Sequence, residues 1–259
     1  MKKTNNLFKK KENIFIPYIT AGDPDLKTTE NLVYALEKAG VSLIEIGVPF
    51  SDPLADGPTI QKSHLRSLKK GTNLEKILQT IKNIRKKSQI PIVLMSSINP
   101  ILAYGIKEFA KDAVKSKVNG VIIPDLPPDE GRNMFKYLKS KGLNTIMLIA
   151  PTSSKTRINL AVKESTGFIY LVSITGVTGE RKSLPPYLQN FIKTIKRKTK
   201  KTLAVGFGIS NHSQVQNIWN NNCGVIVGSA IVKIIEANLN NKKILEKTTK
   251  FVKILTGQK

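Results

Sequence analysis

Two acidic side chains in one sixteen-residue stretch are the best candidates for proton-transfer chemistry in this chain. Residues 43–58 read LIEIGVPFSDPLADGP, and alternation places Leu43 and Glu45 on one face of a strand and Ile44 and Ile46 on the other. The apolar face must pack on helices, so Glu45 faces the interior, where desolvation raises the pKa of a carboxyl and suits it to general acid and base catalysis. A structural carboxylate that a neighbouring donor satisfies explains Glu45 equally well at this point.

A second carboxylate follows in a loop that prolines make rigid. The loop contains Pro49, Pro53 and Pro58 together with Asp52 and Asp56. Loops of this kind, held directly after a strand, often carry binding and catalytic residues. Aspartates also serve as helix N-caps in ordinary loops. Of the two aspartates, Asp56 is the one that we expect to lie over a bound substrate.

Two glycine-containing segments have the composition of a phosphate site. They read VGFGIS at 205–210 and VIVGSA at 225–230. Glycine lets the backbone approach a ligand closely, and the free N–H groups at the start of a helix attract an anion. Gly-Ser ahead of a helix is also a common N-cap, so the pair of segments is stronger evidence than either one alone.

A third segment, SITGVTGER at 173–181, has the glycine and threonine content of a flexible lid. Closing lids exclude water and complete an active site. A plain surface loop is the alternative interpretation of this segment.

Eight short apolar runs, rich in β-branched residues, alternate with amphipathic segments and must position these groups. The runs are residues 14–19, 42–46, 92–95, 120–123, 145–149, 168–172, 202–205 and 225–227. Alternating strands and helices imply parallel strands joined by crossovers, and eight units in about 250 residues indicate a closed (β/α)8 TIM barrel. In such barrels the loops after the seventh and eighth strands commonly hold a phosphate.

The alternative fold is an open doubly wound sheet, which usually has a glycine-rich turn after its first strand. Here the first run leads into TAGDP at 20–24, which is not a GxGxxG motif. No linker, composition break or sequence repeat divides the chain. We therefore expect one catalytic domain over residues 1–259, with a short N-terminal helical extension.

Charge is the abnormal bulk property of the chain. Its 42 Lys and Arg residues against 18 Asp and Glu residues give a net charge of +24, for which a polyanion partner is the first interpretation. Only six of the basic residues are Arg, and the lysines are spread through nearly all polar stretches. Sequence-specific nucleic-acid readers favour Arg, so we interpret the excess as a basic solvated surface and expect no nucleic-acid partner.

Cysteine and histidine are too scarce to build a disulfide or a Cys/His metal cluster. The chain has only Cys223, His64 and His212. Neither histidine has a candidate partner in the sequence, so both are interpreted as surface residues. The chain has no run of about 18 apolar residues, no secretory signal and no cofactor motif, which predicts a soluble protein without a membrane partner, cofactor or metal.

Taken together, these motifs resemble those of tryptophan synthase alpha chains over essentially the whole chain. The resemblance is carried by PYITAGDP at 17–24, EIGVPFSDPLADGP at 45–58, PDLP at 124–127, GVTG at 176–179, GFGI at 206–209 and Gly228-Ser229. The block with both carboxylates is highly specific. The resemblance implies a lyase of L-tryptophan biosynthesis that splits indole-3-glycerol phosphate into indole and glyceraldehyde 3-phosphate in a retro-aldol cleavage.

The resemblance also implies roles for individual residues. Glu45 corresponds to the general acid and base, and Asp56 to the carboxylate that pairs with the indole N–H and stabilises the cationic intermediate. Thr178 corresponds to a lid residue that fixes this aspartate. The remaining correspondences are Tyr18 and Tyr170 at the indole ring, and Gly179, Gly208, Gly228 and Ser229 at the phosphate.

A partner follows from the same resemblance, namely a beta chain in an α2β2 heterotetramer that carries PLP and receives the indole. The loop with Asp52 and Pro53, the stretch around Asn99, and Pro128 correspond to the surface that faces it. SSI at 96–98 stands where many members have aromatic residues. The Lys-, Asn- and Ile-rich composition is typical of an AT-rich genome, so the expected location is the cytoplasm or the plastid stroma.

Three other functions stay open from the sequence. They are another phosphate-binding barrel enzyme of histidine or tryptophan biosynthesis, a basic scaffold that binds RNA or an acidic surface, and an inactive alpha chain that activates its partner. The intact Glu45 and Asp56 argue against the last of these.

Overall fold

In the computed structural model, which describes residues 12–53, 56–172, 186–206 and 208–258, eight parallel strands form a closed barrel. The strands are β1 Phe15–Thr20, β2 Ile44–Gly47, β3 Ile92–Met95, β4 Gly120–Ile122, β5 Asn144–Ile149, β6 Phe168–Val172, β7 Thr202–Gly206 and β8 Gly224–Val227. Each strand pairs with the next, and β8 returns to pair with β1. The predicted (β/α)8 barrel is confirmed, and the open-sheet alternative is wrong.

Helices cover the outside of the barrel. In the described residues they are α1 Leu26–Lys38, α2 Pro58–Lys69, α3 Leu74–Ile84, α4 Ile98–Tyr104, α5 Ile106–Lys115, α6 Arg132–Ser140, α7 Lys155–Glu164, α8 Pro186–Lys196, α9 His212–Asn220, α10 Ser229–Glu236 and α11 Ile244–Thr256. None of these helices has the length and apolar character needed to cross a membrane.

Helix α1 illustrates how local sequence specifies an element. Asp25 caps its start by accepting a hydrogen bond from the Thr28 N–H at 2.6 Å. The buried residues Leu32, Val33 and Leu36 recur at helical spacing, so one stripe of the helix packs on the barrel. The same spacing in the sequence predicts this helix.

The strands separate two apolar layers because successive side chains point to opposite faces. Leu43 lies inside the barrel in a cluster with Ile16, Val93 and Phe168. Ile44 belongs to the larger cluster between strands and helices. Full burial of each such side chain contributes about 1.5–3 kcal/mol to folding. The alternation predicted for β2 is therefore present, and it directs Glu45 into the barrel.

Two sequence predictions fall on parts of the chain outside the described residues. These are the N-terminal helical extension, since residues 1–11 are not described, and the lid at 173–181. Around the barrel, the loops that follow the strand ends meet above the interior cluster, which is where the candidate site lies.

Candidate active site

A cavity of about 460 Å³ opens at the carboxyl ends of the strands. Seven of the nine residues predicted from the sequence line it, namely Tyr18, Glu45, Asp56, Tyr170, Gly208, Gly228 and Ser229. The other two, Thr178 and Gly179, lie outside the described residues. The closed barrel thus brings residues from five strands or the loops after them to one place.

Glu45 lies at the floor of the cavity with an isolated carboxyl group. Only 1% of the residue is exposed, and neither carboxyl oxygen has a hydrogen-bond partner among the described residues. Burial raises the pKa of Glu45 to about 8, and the negative charge of Asp56 adds to the increase. At neutral pH this carboxyl is therefore protonated and can donate a proton.

Asp56 lies at the rim of the same cavity and differs from Glu45 in its protonation. Its N–H donates to the Pro53 carbonyl at 3.1 Å, and its own carbonyl accepts from Gln61 Nε2 at 2.8 Å. Burial raises the pKa of Asp56 to about 6, which leaves it ionised at neutral pH. Two carboxyls with separated pKa values provide one acid and one anion in the same cavity.

Two tyrosines form the walls of the cavity, and each occupies the space above a glycine on the neighbouring strand. A Cβ on Gly47 would lie 2.0 Å from Tyr18 Oη, and a Cβ on Gly206 would lie 2.7 Å from the Tyr170 ring. Tyr18 is buried and Tyr170 is half-buried, and desolvation raises the pKa of each phenol well above 10. Their rings are neutral, and their positions depend on the missing side chains of the two glycines.

Replacing Gly47 by alanine is expected to lower the free energy of unfolding by about 1–3 kcal/mol, because the new methyl group must displace the Tyr18 ring. Urea denaturation measures this change. Gly57→Ala is the matched control, since a Cβ there meets nothing within 4 Å and φ is −75°. Equal stability of the Gly47→Ala variant and the unmodified chain would contradict the packing described here.

The far end of the cavity has the features of an anion site. Helix α10 begins at Ser229 after Gly228, and no side chain in the described part of the chain caps its first N–H groups. Gly208 adopts the left-handed region with φ of 62°, where side chains are strained. Lys233, one turn further along α10, lines the same cavity. The sequence analysis missed Lys233, although its spacing of four from Ser229 places both residues on one helix face.

The structure contradicts the prediction that His64 is a surface residue. His64 lies on α2, is only 4% exposed, and its Nε2 is 3.2 Å from Tyr18 Oη and 3.9 Å from Asp56 Oδ2. The buried face of α2 consists of Ile60, Ser63, His64 and Ser67, a helical spacing that could have revealed its burial. His212 is half-buried, with Nδ1 2.9 Å from the Leu255 carbonyl.

The cavity suits a ligand with an apolar ring and an anionic tail. Met95, Leu148 and Ile226 contribute apolar surface near Glu45, whereas the start of α10 and Lys233 attract negative charge. Within the part of the chain that the structure describes, no cluster of His, Cys, Asp or Glu residues could hold a metal ion. The arrangement provides proton transfer next to a bound ring and an anchor for a phosphate.

Comparisons with known proteins agree with this geometry. A family model described as tryptophan synthase alpha chain matches residues 4–257. The chain is 46% identical to the tryptophan synthase alpha chain of Geotalea daltonii, over 96% of this chain and 94% of that protein. It is 42% identical to that of Petrotoga mobilis, over 98% and 99% of the two chains.

A solved structure gives the same result for the fold. A chain from a structure of the tryptophan synthase α2β2 complex of the hyperthermophile Pyrococcus furiosus matches with a TM-score of 0.90 at 39% identity. The match covers 95% of this chain and 99% of that chain.

Proposed function

The chain belongs to the tryptophan synthase alpha chain family, whose members are lyases of L-tryptophan biosynthesis, and we propose that Glu45 and Asp56 carry its cleavage of indole-3-glycerol phosphate. The products are indole and glyceraldehyde 3-phosphate. The observation that supports the assignment most directly is the isolated, buried carboxyl of Glu45 in the same cavity as the ionised Asp56. Among the described residues that line the cavity, no other pair provides both an acid and an anion at neutral pH.

Each carboxyl has a separate task in the reaction. The protonated Glu45 donates its proton to C3 of the indole, and Asp56 pairs with the ring N–H and stabilises the positive charge that develops there. Glu45 is then a carboxylate and takes the proton of the glycerol hydroxyl next to the bond that breaks. The electrons of that O–H bond form the aldehyde C=O, and the electrons of the broken C–C bond return to the indole ring.

The pH dependence of kcat/KM is expected to be bell-shaped with its maximum between about 6 and 8. Asp56 must be ionised, so activity rises as the pH passes its pKa of about 6. Glu45 must be protonated, so activity falls as the pH passes its pKa of about 8. Indole release measured from pH 5 to 9 checks both limbs. A profile that keeps rising from pH 8 to pH 9 would contradict the assignment of Glu45 as the acid.

The substrate phosphate is assigned to the end of the cavity at α10. The N–H groups of the first turn of α10, with Gly208, Gly228 and Ser229, surround this end, and the Lys233 ammonium adds a positive charge. Gly179 and Thr178 remain predictions for the phosphate and for the fixing of Asp56. Tyr18 and Tyr170 are assigned to the indole ring because both lie against the cavity beside Glu45.

We also propose a beta chain as partner in an α2β2 heterotetramer, with PLP held by the beta chain. The support is the α2β2 complex of Pyrococcus furiosus, whose alpha-type chain matches this one. Of the residues predicted to face the partner, Asp52 and Asn99 are exposed, whereas Pro53 and Pro128 are buried within the chain. The exposed pair is therefore the better candidate for direct contact.

The domain organisation and the location are proposals of the same kind. We propose one catalytic domain over residues 1–259, since β1 and β8 close one barrel and α11 packs against α1. We propose the cytoplasm as its location, because the relatives named above are bacterial proteins. These relatives give no support to the plastid stroma.

An indole-release assay with indole-3-glycerol phosphate, with and without an added beta chain, tests the proposed function. We expect release of indole by the unmodified protein. Membership of this family argues against two of the alternative functions, namely another phosphate-binding barrel enzyme and a scaffold that binds RNA or an acidic surface. An inactive alpha chain would be indicated if no indole appeared under either condition.

A further inference from the structure

A chain of hydrogen bonds holds His64 in one tautomer between two elements of the barrel. On one side, the Phe50 N–H donates to His64 Nδ1 at 3.4 Å. A nitrogen that accepts a hydrogen bond carries no proton, so the neutral ring must carry its proton on Nε2. Burial lowers the pKa of His64 to about 4, which agrees with a neutral ring.

The hydrogen bonds on the Nε2 side of the ring independently indicate the same Nε2–H tautomer. Ser63 Oγ donates to the Ile60 carbonyl at 2.7 Å, because a carbonyl can only accept. The Thr20 hydroxyl, 2.6 Å from Ser63 Oγ, must then donate to it, and the Tyr18 hydroxyl, 3.3 Å from Thr20 Oγ1, donates in turn. The oxygen of Tyr18 is thus left to accept the Nε2–H of His64 at 3.2 Å.

The same Nε2–H faces the carboxylate of Asp56. The distance from Nε2 to Asp56 Oδ2 is 3.9 Å, which is longer than a hydrogen bond. Hydrogen bonds of a catalytic site are often long without substrate and shorten when substrate binds. Among the described residues, the titratable groups beside the ring are Tyr18 from β1 and Asp56 from the loop after β2. Asp125, after β4, lines a small cavity with both His64 and Asp56, but its carboxylate accepts the Ile98 N–H. Asp56 is the carboxylate within 4 Å of Nε2, and it is ionised at neutral pH.

We propose that His64 is a positioning residue for Asp56: when substrate binds, its Nε2–H, shared with Tyr18 Oη, donates to Oδ2, so that the other carboxylate oxygen faces the indole N–H. This role rests on the function proposed above for Asp56. A neutral donor orients the carboxylate and leaves its negative charge available to the developing cation. A charged imidazolium would neutralise that charge, and burial disfavours it by lowering the pKa of His64 to about 4.

Two substitutions distinguish the role of Nε2 from the role of Nδ1 in the His64 ring. In His64→Gln, the amide N–H can occupy the place of Nε2 and donate to Asp56 and Tyr18. In His64→Asn, the shorter amide keeps an acceptor for the Phe50 N–H near the place of Nδ1 and cannot reach Asp56. If His64 acts through Asp56, the His64→Gln variant should retain activity. If His64 acts through the loop at Phe50, the His64→Asn variant should retain activity instead.

We expect kcat of His64→Asn to fall about 10- to 100-fold, the effect of losing a hydrogen bond to a charged group, with KM nearly unchanged. The acidic limb of kcat/KM should move to higher pH, because loss of a donor disfavours the ionised Asp56. His64→Gln should keep both kcat and the acidic limb. An unaffected His64→Asn, or an inactive His64→Gln beside an active His64→Asn, would overturn the proposal.

A measurement on the unmodified protein covers the case in which the variants do not fold. The ¹⁵N NMR spectrum of the imidazole should show the Nε2–H tautomer, and its proton should shift downfield when an uncleavable analogue without glycerol hydroxyls binds. An Nδ1–H tautomer would overturn the proposal. The function itself is tested separately by Glu45→Gln and Asp56→Asn: if both are inactive while His64→Asn is normal, only the role of His64 fails.

Discussion

Replacing Glu45 by glutamine is expected to reduce kcat for indole release by about 10²- to 10⁴-fold, the contribution typical of a general acid or base. The amide has nearly the same size and fits the same buried space, but it can neither deliver a proton to the indole ring nor accept one from the glycerol hydroxyl. The substrate's binding contacts at the phosphate end are unchanged, so KM should change little. Steady-state assays of purified protein at pH 7 measure both constants.

The same substitution should stabilise the folded chain, which separates the loss of activity from misfolding. The folded-state pKa of Glu45, about 8, lies above the unfolded value of about 4.5. The unfolded state therefore releases the proton first, and the unmodified chain loses on the order of a few kcal/mol of stability as the pH rises from about 4.5 to 8. Glutamine does not titrate, so the stability gained by Glu45→Gln should grow across this window in urea denaturation.

The exposed Glu75, in the first turn of α3, provides the matched control. Glu75→Gln makes the same chemical change at an exposed helix position that does not line the cavity. It should leave kcat unchanged and show no growing gain in stability between pH 4.5 and 8. Normal turnover by Glu45→Gln would remove the assignment of the general acid.

The barrel could be predicted because the patterns of its strands and helices repeat within short stretches of the sequence. The direction of the side chains in β2 follows from the pleat alone, so the alternation of Ile44, Glu45 and Ile46 was sufficient to place the carboxyl inside. Strand ends were less predictable. Gly47 extends β2 because its backbone still pairs with Thr20 at the end of β1, although glycine is depleted in strands.

The missed residues depend on contacts between distant parts of the chain. The partners of His64 are Phe50, Tyr18 and Asp56, which reach it from two strand ends, and no pattern within α2 identifies them. The pattern of α2 could show only that the His64 face is buried. For Lys233 the helical spacing from Ser229 was readable, but lysine is so frequent in this chain that its position carried little information.

Replacing Asp56 by asparagine is expected to lower kcat by about 10²- to 10³-fold or more, the effect of removing a preorganised group that stabilises developing charge. The amide oxygen can still accept the indole N–H, so the substitution tests the negative charge and not the hydrogen bond. It also removes the charge that contributes to the raised pKa of Glu45. The basic limb of the residual activity should therefore move below its position at about 8 in the unmodified enzyme.

Asp52 provides the control for Asp56 because it belongs to the same loop but is exposed, with its carboxylate 2.6 Å from Ser51 Oγ. Asp52→Asn should keep kcat and leave the basic limb in place in assays without a beta chain, where its proposed contact with that partner plays no part. A limb that moves only in Asp56→Asn demonstrates that the two carboxyls interact in the folded site, since a general loss of structure would lower activity without shifting the pKa of Glu45. Full activity of Asp56→Asn, or an unmoved limb, would mean that charge at this position does not act on the reaction.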